Sequence, residues 1–182
     1  LFVQALKAVA PVLVLVLVFG ATTLGRWAQT YGQNAGEILR QHVAMGVWMH
    51  KHLPKNAKVA ICDAGAIPYY SQRTCYDVNG LVTNDFRTPG GGVQAFGFIW
   101  ETLERLKPGY LVIYPNWFRP LTSLPILKRL HTTHLRRTTI AGGRDMVAYR
   151  IQWDKLGNPD RPGHPPADAK GWRLVDQVDV GC

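Results

Sequence analysis

Serine is nearly missing from this chain. The two that occur, Ser71 and Ser123, lie outside any Gly-x-Ser-x-Gly turn, which excludes a serine hydrolase of the α/β type. The run Gly90-Gly91-Gly92 is not followed by Lys-Ser or Lys-Thr, and no Gly-x-Gly-x-x-Gly follows a strand-like segment, so the common nucleotide-phosphate loops are excluded too. Acids are scarce, 12 against 21 Lys and Arg, and none occurs between Glu104 and Asp145. Zinc-finger spacing, aromatic RNA-binding motifs and a helix-turn-helix pattern are all absent, so the net charge of +9 does not indicate nucleic acid. The histidine pairs His50-x-His52 and His131-x-x-His134 have no carboxylate or cysteine at ligand spacing, and no metal or cofactor is expected. Cys62 and Cys75 fall on neighbouring strand-like runs; they suit either a disulfide or two small buried hydrophobes.

Charge is also missing from one long stretch. Nothing between Lys7 and Arg26 is ionisable, and the run from Ala8 through Phe19 continues apolar to Gly25. At about 1.5 Å per residue this is long enough to cross a hydrocarbon core of roughly 30 Å. A secretory signal fits less well, because the upstream flank is itself apolar and holds a single Lys; Ala21-Thr22-Thr23 only weakly imitates a cleavage site. Pro11 inside the run frees a carbonyl that neighbouring helices would cover, so residues 1–25 are expected to be the last transmembrane helix of a larger bundle, with further helices upstream as partners.

The remainder is the length of one domain. Residues 34–53 offer a wide apolar helical surface ended by Pro54. Lys58–Cys62, Thr74–Val78 and Tyr110–Tyr114 are short apolar runs between turn signals and are expected to be strands, while Phe96, Ile99, Leu103 and Leu106 recur at helical spacing. A short helix is expected after Asp63, with that side chain as its cap. Leu124–His131 is expected to add a helix, and His134–Ile140 to pair with Met146–Ile151 around residues 141–145. The fold class is therefore α/β: an N-terminal transmembrane helix over 1–25, a βαβ-type sheet domain with an antiparallel edge hairpin over 26–153, and a Pro- and Gly-rich linker over 154–182 that leads into a following segment starting near Trp172.

Two groups of residues stand out as candidate contacts. Asp63, Tyr69, Tyr70, Arg73, Asp77, Asn84 and Asp85 cluster around the expected carboxyl ends of two adjacent strands, where open α/β sheets usually hold ligands. Five of them also have a plain structural role available: Asp63 as a cap, Tyr69 and Tyr70 as packing, Arg73 as an ion pair with Asp77. Lys128, Arg129, Arg136 and Arg137 lie in the acid-free stretch and would suit lipid phosphate, with membrane lipid as partner.

The run Leu53-Pro54, Val59-Ala60-Ile61-Cys62-Asp63-Ala64-Gly65-Ala66-Ile67, Tyr70-Ser71-Gln72-Arg73 and Asp77-Val78-Asn79-Gly80-Leu81 resembles the membrane-proximal soluble domain of bacterial GT-C type glycosyltransferases, over roughly residues 35–149. It departs at Cys62, where members often carry Asn or Gly, and at Asn79, where they often carry Leu. The resemblance implies a multi-spanning enzyme of the arabinosyl- or mannosyltransferase kind, a polyprenyl-phosphate sugar donor and a glycan or lipid acceptor. It further implies a catalytic base upstream of this chain, a bacterial plasma-membrane location and an extracytoplasmic domain that caps the cavity. A membrane-anchored, non-enzymatic domain that binds glycan or anionic lipid is the competing expectation.

Overall fold

A computed structural model describes residues 2–87 and 96–156 of the chain. The triple-glycine loop, the linker from residue 157 onward and the strand expected near Trp172 lie outside the described residues. Helix α1 (Phe2–Ile38) passes through one π-helical turn (Leu39–Val43) into α2 (Ala44–His52) without a break. Its apolar part, from Val9, is long and apolar enough to cross a membrane and is not covered by the other described residues. The helix stops where expected: Leu53, ahead of Pro54, is already extended with ψ 148°.

The domain that follows runs β1 (Lys58–Ile61), α3 (Ala66–Ser71), β2 (Thr74–Asp77), α4 (Phe96–Leu106), β3 (Tyr110–Ile113), α5 (Arg119–Thr122), β4 (Leu127–His134) and β5 (Asp145–Ile151). The five strands are ordered β2-β1-β3-β5-β4, with β1 parallel to β2 and β3, and β5 antiparallel to β3 and β4. The connection from β1 to β2 through α3 and the return from β2 across β1 to β3 through α4 run in opposite directions along the sheet, and the right-handed rule for such crossovers puts α3 and α4 on opposite faces. Helix α2 packs on α3, which completes three layers. Burial agrees with that arrangement. Val59, Ala60 and Ile61 are consecutive yet all buried, as a strand covered on both faces requires. Ile99 and Leu103 from α4, Met45 and Met49 from α2, and Leu111, Val112 and Ile113 from β3 close the core.

Three local expectations fail. Leu124–His131 is not a helix: Leu127–His134 is strand β4, and the hairpin partner of β5 is therefore this earlier segment and not His134–Ile140. Strand β5 pairs with β3 on one side, β4 supplies partners for the backbone groups on its other side, and this pairing overrides the leucine spacing. A register shift between Arg129 and His131 leaves Leu130 as the extra residue, which broke the alternation that marks a strand in sequence. Asp63 is not a helix cap either. Gly65 precedes α3 with no side-chain cap bond, and Asp63 Oδ1 accepts only the Gly65 N–H at 3.2 Å.

Candidate functional site

Chain direction determines which end of the sheet faces which end of the long helix. Moving up the helix, Glu37 meets the β4–β5 loop, Gln41 and His42 meet the carboxyl ends of β1 and β3, Gly46 meets α3, and Leu53 leads back to the amino end of β1. Helix and parallel strands are therefore antiparallel. The carboxyl edge of the sheet, which carries most of the candidate residues, is turned toward the apolar half of α1.

A polar network joins the two parts at this edge. Glu37 is buried, and its carboxylate accepts the backbone N–H groups of Thr139, Ile140 and Ala141 and the Thr139 hydroxyl, at 2.7–3.1 Å. Burial pushes the Glu37 pKa up, but these donors outweigh it and hold the group below its ordinary value. Gln41 donates from Nε2 to the carbonyls of Gly143 and Arg144, both at 3.0 Å, and its Oε1 accepts from the Tyr114 hydroxyl at 3.1 Å. His42 sits between Tyr114, whose hydroxyl is 2.6 Å from Nε2, and Asp63, whose Oδ2 is 3.3 Å from Nδ1. The π turn matters here, because its wider register lets the consecutive residues Gln41 and His42 both face the domain.

The protonation of this network follows from counting hydrogens. Burial holds the His42 pKa below its ordinary value against the opposing pull of Asp63 and Glu37, so the ring is neutral at pH 7. A neutral ring that donates from Nδ1 to the Asp63 carboxylate must accept at Nε2 from Tyr114. The phenol then has one hydrogen and two acceptors, His42 and Gln41. Burial raises the Tyr114 pKa, so the phenol stays protonated. At 1% exposure Tyr114 cannot reach a substrate; the arrangement fixes the helix to the sheet. Gly142 and Gly143 let the β4–β5 loop close over it: a Cβ on Gly142 would stand 2.4 Å from Trp117 and 2.7 Å from Tyr114.

The expected contact residues separate into distinct roles. Asp77 is buried and accepts the N–H groups of Asn79, Leu81 and Val82 at 3.0, 2.7 and 3.2 Å, so it winds the loop after β2 and makes no ion pair with Arg73. Arg73 instead donates to the carbonyls of His50, Leu53, Ser71 and Gln72, tying α3 to the end of α2. Asp85 pairs with Arg105 at 2.7 Å, and its neighbour Asn84 is exposed. Tyr69 and Tyr70 are exposed, meet edge to face at 5.1 Å, and line an open cleft of about 300 Å³ together with Val47, His50 and Gln72. The four basic candidates do not share a face: Lys128 and Arg129 pair with Arg150 and Tyr149 near the amino edge, while Arg136 and Arg137 follow the carboxyl-edge end of β4.

The histidine pairs hold no metal arrangement. Among the described residues no three potential ligands gather, and His52 and His131 both stack on Trp48 with centroids 5.1 and 4.6 Å away. Cys62 and Cys75 are free thiols, and burial pushes Cys62 up to about 12, far from a reactive thiolate. Glu37, Gln41, His42 and Tyr114 were not picked out from the sequence. Their signal was available in part, because 37, 41 and 42 are polar positions set into an otherwise apolar helix face.

Fold and edge together define a small three-layer α/β domain docked through a polar network onto the end of a long apolar helix. The chain belongs to the family described as Domain of unknown function (DUF8728), whose model matches residues 25–176. No curated protein and no solved structure matches it.

Proposed function

We propose that the chain is the C-terminal part of a bacterial plasma-membrane glycosyltransferase that moves a sugar from a polyprenyl-phosphate donor to an extracytoplasmic glycan or lipid acceptor. On this reading α1 crosses the membrane, the base that activates the acceptor lies outside this chain, and the α/β domain caps the cavity. The observation that carries the reading is the unbroken passage of α1 into α2 together with the Glu37–Gln41–His42 docking, which turns the ligand-typical edge of the sheet toward the apolar half of the helix. A cap needs that orientation and that rigidity. Asp63 is the polar group of this edge best suited to an acceptor hydroxyl, being partly exposed and oriented by His42.

The test is a transfer assay on membranes that contain the full-length gene product, with labelled polyprenyl-phosphate sugars as donors. Label should enter a glycan or lipid acceptor, and Asp63→Asn should raise the acceptor KM several-fold while leaving the protein in the membrane. Absence of transfer with every donor tried, together with a gene that encodes a single span, would overturn the assignment. A second reading rests on the open cleft with its exposed Tyr69–Tyr70 pair, a surface suited to stacking on sugar rings. In that case the full chain retains glycan without turnover, and Tyr69→Ala abolishes retention.

A further inference from the structure

We propose that the carboxyl edge of the sheet is a bilayer-contacting surface, which rests its exposed apolar tips and unpaired arginines on anionic lipid headgroups of the membrane that α1 crosses. The inference rests on the reading that α1 is inserted, and goes beyond it by assigning the second contact.

Three independent features meet at this edge. The first is exposed apolar surface. Leu81 and Val82 are 82% and 72% exposed and Ile140 is 56% exposed, and all three belong to loops that follow the carboxyl-edge ends of β2 and β4. Leu81 and Val82 are held outward by a built loop: both N–H groups bind Asp77, and Gly80 supplies the required left-handed turn with φ 73°. Rigid presentation of two aliphatic side chains to solvent has no folding benefit, whereas insertion among headgroups buries them.

The second feature is charge. Arg40, Arg136, Arg137 and Arg144 surround the β4–β5 loop, all are exposed, and none is in an ion pair among the described residues. The Arg40 guanidinium lies over Gly36, one helical turn toward the apolar end, with its nitrogens 2.8 and 3.2 Å from where a Cβ would stand. Among the acids of the edge, Glu37 and Asp77 are buried against backbone N–H groups and Asp63 is partly exposed beside His42, while Asp85 and Asp145 are exposed and pair with Arg105 and His134. Four exposed arginines without an ion pair outnumber the two exposed acids, so the edge carries an excess of positive charge, complementary to anionic headgroups.

The third feature is height. Trp27 and Tyr31 are 69% and 75% exposed, lie one turn apart on α1, and have the character of interfacial anchors. Glu37, where the β4–β5 loop docks, is six residues beyond Tyr31, or about 9 Å along the axis. That is about one Debye length at physiological salt, so the arginines feel the surface potential of the leaflet, and a modest helix tilt closes the remaining gap. The amino edge, with Lys128 and Arg129, lies a further ~20 Å away along β4 at about 3.3 Å per residue.

The experiment uses the full chain in nanodiscs, with the photoreactive residue p-benzoylphenylalanine placed singly at Leu15, Leu81, Ile140 or Lys128, and lipid adducts read by mass spectrometry. In discs with one-third phosphatidylglycerol, adducts should form at Leu15, Leu81 and Ile140 and be about tenfold rarer at Lys128. Arg136→Gln with Arg137→Gln, or replacement of phosphatidylglycerol by phosphatidylcholine, should cut the Leu81 and Ile140 yields about fivefold and leave Leu15 unchanged. Adducts at Leu15 with none above the Lys128 level at Leu81 and Ile140 would overturn the surface contact alone. An absence of adducts at Leu15 would overturn the insertion of α1 and the contact with it.

Discussion

The two halves of the long helix are built on opposite terms. From Val9 to Tyr31 its large apolar side chains are exposed, with no cover from the other described residues; from Glu37 to Leu53 the same helix is held by carboxylate, amide and imidazole bonds around a small apolar contact at Met45 and Met49. Apolar surface without a partner suits any apolar surroundings and imposes no rotation or height. The polar network is directional, so it sets both. The comparison explains how one helix can present a bare apolar surface at one end and carry a domain in a fixed orientation at the other.

The largest effect should come from removing the acceptor that closes the β4–β5 loop. Glu37→Ala leaves three backbone N–H groups without their partner and should cost about 3 kcal/mol in urea unfolding of the full chain in detergent. No loss would mean that the loop docks by packing alone. A paired glycine experiment sharpens the contrast between the halves. Gly46→Ala places a Cβ 2.9 Å from Tyr70 Cβ and 3.0 Å from the Ile67 carbonyl, whereas Gly20→Ala meets nothing within 4 Å. The first should destabilise by about 1–2 kcal/mol in spite of its better helix propensity; the second should be neutral or stabilising.

Acid should loosen the docked half alone. His42 is held below 6.5 by burial, so the unfolded chain takes up its proton first and this contribution, complete above pH 6.5, is lost as pH falls toward the folded value. Glu37, held below 4.5, adds a second loss beginning near that pH. Amide exchange at residues 139–144 should therefore accelerate, relative to its intrinsic rate, between pH 7 and 5, with the effect blunted in His42→Gln. Exchange between Ala8 and Gly25, where no group titrates, should show no such step. The smallest effect is expected at Lys128→Gln with Arg129→Gln, which should change stability by less than about 0.5 kcal/mol because both side chains are solvated on the edge strand.

Several parts of this molecule were open to reading before any coordinates. Uninterrupted hydrophobicity from Ala8, the stop at Leu53-Pro54, strands β1 to β3 and helix α4 are all local patterns, produced by residues near one another in the chain, and each appeared close to where it was expected. The hairpin was harder. Strand β4 exists because β5 requires a partner, and the bulge at Leu130 erased the alternation that would have announced it. The candidate site divided along the same line. Asp63, Asp77 and Asp85 could be assigned to a sheet edge from their position after strands, yet their partners, His42, the loop amides after β2 and Arg105, include residues up to 21 positions away and became visible only in the folded chain.

Composition and local periodicity determined that the chain has a long apolar helix, an α/β fold and a surplus of basic over acidic residues. They did not determine that the helix runs antiparallel to the parallel strands, and so did not say which sheet edge is turned toward the apolar end. That follows from contacts between Glu37, Gln41 and His42 and residues as distant as Ala141, Arg144 and Tyr114. Hydrophobic pattern is a property of neighbouring residues, whereas the direction in which a domain faces depends on a few polar pairs brought together from across the chain, and no short window of sequence contains both members of such a pair.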